Sequence, residues 1–183
     1  MNMDRRTFTK LSVATAAAAS LPVAAATVPE PQLVFFDGRY GDCRRFAAAF
    51  GMCERFDTAH DVAHLWYSQL RDRARRETLR IAGLTTHSDL FILERCAAEA
   101  KLELRFETFH DCRGTSTITH SLGKGCGRSA AHALRLAGTE WPTALAQVIA
   151  ANLDHDSFAP LRLTTTAARA ADHPGTLVSW LIA

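Results

Sequence analysis

The sequence predicts an α/β fold: a three-layer sandwich on a mainly parallel sheet of about 5–6 strands, with one antiparallel hairpin strand added. Three observations point there. Apolar runs of strand length alternate with stretches of helical periodicity from residue 33 to about residue 110. The runs LVFFD and LRIAGL carry hardly a polar side chain, as strands covered on both faces do. The segment LELRFETFH instead alternates Leu102, Leu104 and Phe106 with charged residues, the period of a half-exposed strand.

Each element has its own local reason. LVFFD ends at Asp37 and Gly38, and residues 39–50 then read as a helix with Phe46, Ala47, Ala49 and Phe50 on one side and Gly51 as its C-cap. A short strand over 52–56 follows. Asp57 or Thr58 can cap a long helix to about Arg76, whose stripe is Val62, Leu65, Trp66, Leu70 and Ala74. After LRIAGL, the turn THSD opens LFILERCAAEA, a helix apolar on nearly every side and so expected to be buried. RGTS turns the LELRFETFH strand back into STITHSL. Gly123, Gly125 and Gly127 precede a helix over 129–137, and Pro142 suits the start of another over 141–153. From Asp154 the chain reads as irregular until LVSWLIA, a final buried strand.

The N-terminus has a different character. Arg5 and Arg6 stand side by side, followed by Phe8 and Lys10, and residues 11–26 form an uncharged, alanine-rich run ending in Ala24-Ala25-Ala26. This pattern resembles the twin-arginine (Tat) export signal, a polar region with paired arginines before a mild apolar stretch and a small-residue cleavage site. The resemblance covers residues 1–26 only. It implies a signal peptide cleaved near Ala26, transport in folded form to the periplasm, and the Tat translocation machinery and signal peptidase as partners. A retained anchor fits less well, because crossing ~30 Å of hydrocarbon takes about 20 strongly apolar residues and this run is broken by Pro22. No stable membrane anchor is expected after cleavage.

Removing 26 of the 183 residues leaves 157, a length that suits a single α/β domain over 27–183. The 21 basic and 19 acidic residues lose Arg5, Arg6, Lys10 and Asp4, leaving 18 of each. A neutral domain lacks the phosphate-neutralising excess of a nucleic-acid binder, so no nucleic-acid partner is expected. Cys43, Cys53, Cys96, Cys112 and Cys126 all belong to this domain, and an odd number leaves at least one thiol free, shared between chains or bound to something. Pairings Cys43–Cys53 and Cys112–Cys126 are open alternatives to reduced thiols.

In open α/β sheets, ligands collect beyond the carboxyl ends of strands. Three polar loops qualify: Asp37 to Asp42 with Arg39 and Tyr40, Thr85 to Asp89 with Thr86, His87 and Ser88, and His110 to Arg113 with Thr115 and Ser116. Their hydroxyls and helix-start N–H groups suit an anionic or polar ligand, with Arg39 and Arg113 as a clamp; the same residues also serve as plain helix caps. Cys43 sits in the first turn of its helix beside Arg44 and Arg45, a setting that favours thiolate, and His87 or His110 could act as its base. His60 and His64 share a helical face at metal-ligand spacing without a third ligand, and His110, Asp111 and Cys112 form a second weak cluster. GCGRSA matches G-x-G-x-x-A outside its usual context, and reads chiefly as a turn. The sequence names no cofactor. These readings converge on an exported protein that binds a small molecule or serves as an accessory factor. The alternatives are a small hydrolase, isomerase or thiol enzyme using Cys43, His87 and His110, and a subunit exported together with a cofactor-bearing protein partner.

Replacing Arg5 and Arg6 with Lys is expected to hold the precursor in the cytoplasm. Immunoblots of periplasmic and cytoplasmic fractions check this, and undiminished mature protein in the periplasm would refute the export signal.

Overall fold

The computed structural model describes residues 30–58, 61–113, 116–151, 161–166 and 175–183. The expected signal peptide, residues 1–26, therefore lies outside the described residues, as do His60 and Thr115. Seven strands form one open sheet: β1 (Leu33–Phe36), β2 (Glu54–Asp57), β3 (Ile81–Thr85), β4 (Leu104–Asp111), β5 (Thr117–Leu122), β6 (Leu161–Thr166) and β7 (Thr176–Ile182). Their spatial order is β2-β1-β3-β7-β4-β5-β6. Only β2-β1-β3 is parallel; each of the pairings from β3 to β6 is antiparallel.

The α/β class expected from the alternation holds, but the sheet is mixed and not mainly parallel. The difference comes from β7. Its apolar run TLVSWLI is covered on both faces wherever it sits, so its composition fixes depth and leaves direction open. In the fold it enters antiparallel between β3 and β4, and joins the parallel half of the sheet to the antiparallel half. β6 is a second difference. LRLTTT falls in the stretch read as irregular, yet it pairs with β5 and alternates Leu161, Leu163 and Thr165 inward against exposed Arg162, Thr164 and Thr166.

Helices cover both faces. The first helix, α1 (Gly41–Ala48), shares a core with α5 (Arg128–Ala137) and α6 (Trp141–Ala151), in which Val34, Phe46, Leu84, Phe106, Leu134 and Leu145 meet. On the other face α2 (Val62–Leu65) runs through a π-helical turn, Trp66–Leu70, into α3 (Arg71–Ala74), and these pack with α4 (His87–Ala98) over Leu33, Phe35, Ile81 and Trp180. The π turn has a sequence cause. Val62, Trp66, Leu70 and Ala74 are all buried at steps of four, and each such step overshoots a full α-helical turn by about 40°. A wider turn absorbs that drift and keeps the stripe on the sheet. α4 is less buried than its composition suggests, because Phe91 and Ile92 are exposed at 53% and 37%.

Gly83 faces Trp180 across the β3–β7 register, and a Cβ there would stand 2.2 Å from the indole ring. The indole is fixed on its other side, with Nε1 donating to Thr85 Oγ1 at 3.1 Å. Gly83→Ala is therefore expected to lower stability by ~1–3 kcal/mol through overpacking, measured as a fall in the urea midpoint at unchanged slope.

Candidate functional site

β7 runs antiparallel to both β3 and β4, so β1, β3 and β4 point the same way. The loops that follow them consequently leave from one edge of the sheet. At the end of β1, Asp37 is fully buried, and Arg39 folds back on it: Nε donates to Oδ1 at 2.9 Å, Nη2 to Oδ2 at 2.6 Å and the backbone N–H to Oδ1 at 3.1 Å. The Arg39 guanidinium also lies over the Tyr40 ring, 5.4 Å from its centroid, and Tyr40 is the N-cap residue of α1. Asp57, at the end of β2, accepts the Gly38 N–H at 2.9 Å.

Beyond β3, Thr86 caps α4 by accepting the Asp89 N–H, and its hydroxyl donates to Asp89 Oδ2 at 2.8 Å. Thr58 donates to the same oxygen at 3.3 Å. Burial pushes the Asp89 carboxyl above its ordinary range, outweighing both hydroxyls. His87 and Ser88 are exposed, and the His87 ring lies 5.6 Å from Phe109. Thr85 is buried and takes up the Trp180 N–H, which makes it a packing residue. Beyond β4, Arg113 turns back to Asp111, with Nε on Oδ1 at 3.0 Å, and holds that carboxyl below its usual range.

Arg39 and Arg113 thus share an edge but cannot clamp one small ion together. Between β1 and β4 lie β3 and β7, and three strand spacings amount to about 14 Å. Each arginine also already has a carboxylate partner.

The thiol–imidazole grouping divides across the sheet. Cys43 is fully buried in the α1 face, turned away from exposed Arg44 and Arg45, and burial pushes its thiol well above the ordinary range instead of favouring thiolate. His110 is a strand residue of β4 and not a loop residue; it lies on that same face under Trp141, whereas His87 sits on the α4 side with Phe109. The cluster His110, Asp111, Cys112 also separates, since strand alternation buries His110 and Cys112 while Asp111 points to the other face. His64 is exposed on α2. Among the described residues no group of three or more His, Cys, Asp or Glu side chains is placed to hold a metal, and the five cysteines are free thiols.

The glycine loop serves packing. The Glu107 N–H donates to the Lys124 carbonyl at 2.8 Å, so the loop lies along β4. Gly125, at φ +68°, has its Cα so near Arg105 that a Cβ would stand 1.9 Å from the carbonyl oxygen.

A buried polar row was missed by the sequence reading. His110 and His120 face each other across β4 and β5 with Nδ1 atoms 2.7 Å apart; His110 Nε2 meets Ser179 Oγ at 2.9 Å and His120 Nε2 meets Thr165 Oγ1 at 2.8 Å. All four residues are nearly or fully buried, with Trp141 over both rings. The available signal was alternation: Ile118, His120 and Leu122 share one face of STITHSL.

Native protein treated with iodoacetamide is expected to label at half-exposed Cys53, while Cys43, Cys112 and Cys126 react only after unfolding, because buried thiols are not reachable and burial also pushes the Cys43 and Cys126 thiols above their ordinary range. Peptide mass mapping reads this, and rapid native labelling of Cys43 would overturn the assignment. No family model, curated protein or solved structure matches this chain, so its chemistry is read from these residues themselves.

Proposed function

We propose that this chain is an exported binding or accessory protein that holds a small polar molecule in the crevice between the Asp37–Tyr40 loop and the start of α4. One observation carries the reading: the strand order β2-β1-β3. The connections from β1 to β2 and from β2 to β3 run in opposite directions across the sheet, and their helices cover opposite faces. A crevice opens at such a reversal, beyond the carboxyl ends of the two central strands. Around it stand Arg39, Tyr40, Thr86, His87, Ser88 and Asp89. Asp37, Asp57 and Asp89 give the crevice more acceptors than donors, which favours a ligand bringing hydroxyl or amine groups. An anion must instead compete with Asp37 for Arg39. The export half of the proposal rests on the Arg5–Arg6 signal.

A second reading, a subunit exported with a partner, draws on the exposed Phe91 and Ile92 of α4 and the exposed Tyr67. An enzyme built on Cys43, His87 and His110 draws no support from the geometry: His87 lies on the face opposite Cys43 and His110, and the Cys43 thiol is buried and pushed well above its ordinary range.

Calorimetric titration of the protein with polyols, amino acids and inorganic phosphate tests the crevice. Asp89→Asn and Arg39→Ala are expected to weaken a polar ligand by roughly tenfold to a hundredfold, the worth of a charge-assisted hydrogen bond of ~1.5–3 kcal/mol. Arg113→Ala, beyond strand β4, which lies three spacings, about 14 Å, from β1 and two, about 10 Å, from β3, should leave binding unchanged. Loss of binding in Arg113→Ala with none in the other two would move the site elsewhere.

A further inference from the structure

The chain Thr165–His120–His110–Ser179 links four adjacent strands, β6, β5, β4 and β7, through side chains on a single face. Two Nδ1 atoms at 2.7 Å need a proton between them, since two bare lone pairs repel and two N–H groups clash. Ser179 decides the direction. Its hydroxyl has a second acceptor in the Thr108 carbonyl at 3.4 Å; donating there leaves its oxygen to accept from His110 Nε2–H. His110 Nδ1 is then bare and accepts from His120 Nδ1–H, and His120 Nε2 accepts from the Thr165 hydroxyl. Every polar atom in the row is satisfied with both rings neutral. His120 thereby carries its proton on Nδ1.

An added proton has one place to go, His120 Nε2, and to arrive there it must turn the Thr165 hydroxyl from donor to acceptor. The cation so formed would lie in an apolar layer. On the same face stand Thr108 of β4 and Cys112 just past its end, Ser179 of β7 and Thr165 of β6, with Trp141 of α6 against both rings. α5 turns Ala130, Ala131 and Leu134 inward and keeps Arg128, His132 and Arg135 outside. α1 brings the Cys43 thiol and buries Asp42, which is already paired with Arg45. Cys126, hydrogen-bonded to Thr108, adds a further titratable group among the described residues, and Tyr40 and Cys53 pack at the margin of the layer.

We propose that the His110–His120 pair is an acid-operated latch, which fastens β5, edge strand β6 and helix α6 to the sheet at neutral pH and releases them when an additional proton enters. The sign follows from where protons bind more readily. An exposed histidine titrates near 6.5, and burial pushes His120 down to about 4. The opened region therefore binds protons that the closed one refuses, and opening is favoured as pH falls from about 6.5 towards 4. Above that window the latch contributes its full stability.

Two measurements on the unaltered protein test the latch. Long-range proton–nitrogen NMR at pH 7 is expected to show His110 as the Nε2–H tautomer and His120 as the rarer Nδ1–H tautomer; two Nε2–H rings, or titration of His120 near 6.5, would overturn the proposal. Hydrogen exchange corrected for intrinsic rates should then show protection in β5, β6 and α6 falling roughly 50- to 100-fold between pH 7 and pH 4.5, with β1 and β3 holding. Uniform loss over all strands, or no loss, would also overturn it. In the double variant His110→Leu, His120→Leu the acid-dependent step should vanish; its survival there would count against the pair.

Discussion

The antiparallel insertion of β7 between β3 and β4 is the constraint on which the rest of this structure depends. Among the described residues, the β2-β1-β3 unit and the β4-β5-β6 unit are joined in the ladder through β7, which bonds to β3 on one side and β4 on the other. Its residues from Leu177 to Ile182 are buried, and Trp180 drives into the space left by Gly83. Because two antiparallel steps restore direction, β7 also makes β4 run with β1 and β3. The polar edge exists for that reason.

The same strand supplies Ser179, the end of the buried histidine row. A buried imidazole pair is costly unless each nitrogen finds a partner, and here Ser179 and Thr165 serve as the terminal hydroxyls. The row lies where antiparallel strands bring side chains directly opposite, at the His110–His120 pair. The parallel half has no counterpart among the described residues, and its core is aliphatic and aromatic. Polar groups are thus divided: charged and hydroxyl side chains at the loop edge of the parallel half, and a buried row of two imidazoles and two hydroxyls inside the antiparallel half.

Local capping and the proposed ligand crevice draw on the same atoms here. Thr86 and Asp89 satisfy the start of α4, and Arg39 satisfies Asp37. A ligand entering the crevice exchanges these contacts for its own, so its affinity reflects the difference between the two sets and not their sum. Arg39→Ala would also uncover Asp37, a fully buried carboxylate. Arg39 is therefore more than a surface cation.

The sequence by itself determined the element types: the strand at Leu33, the helices carrying Phe46 and Trp66, the half-wet alternation of β4, and the final apolar strand all follow from period and composition, which are local properties. It also showed the three polar loops, because Gly, Asp, Thr and Ser punctuate the strands there. Strand direction and order were decided by tertiary structure alone. An apolar run such as LVSWLIA is satisfied by burial on two faces whichever way it points, and LRLTTT becomes a strand only because His120 and β5 give Thr165 and the backbone their partners. For the same reason the sequence could group Cys43, His87 and His110, while the sheet puts His87 on the face opposite the other two. Which face a residue occupies is set by the register of its strand against its neighbours, and that register is a property of the assembled sheet.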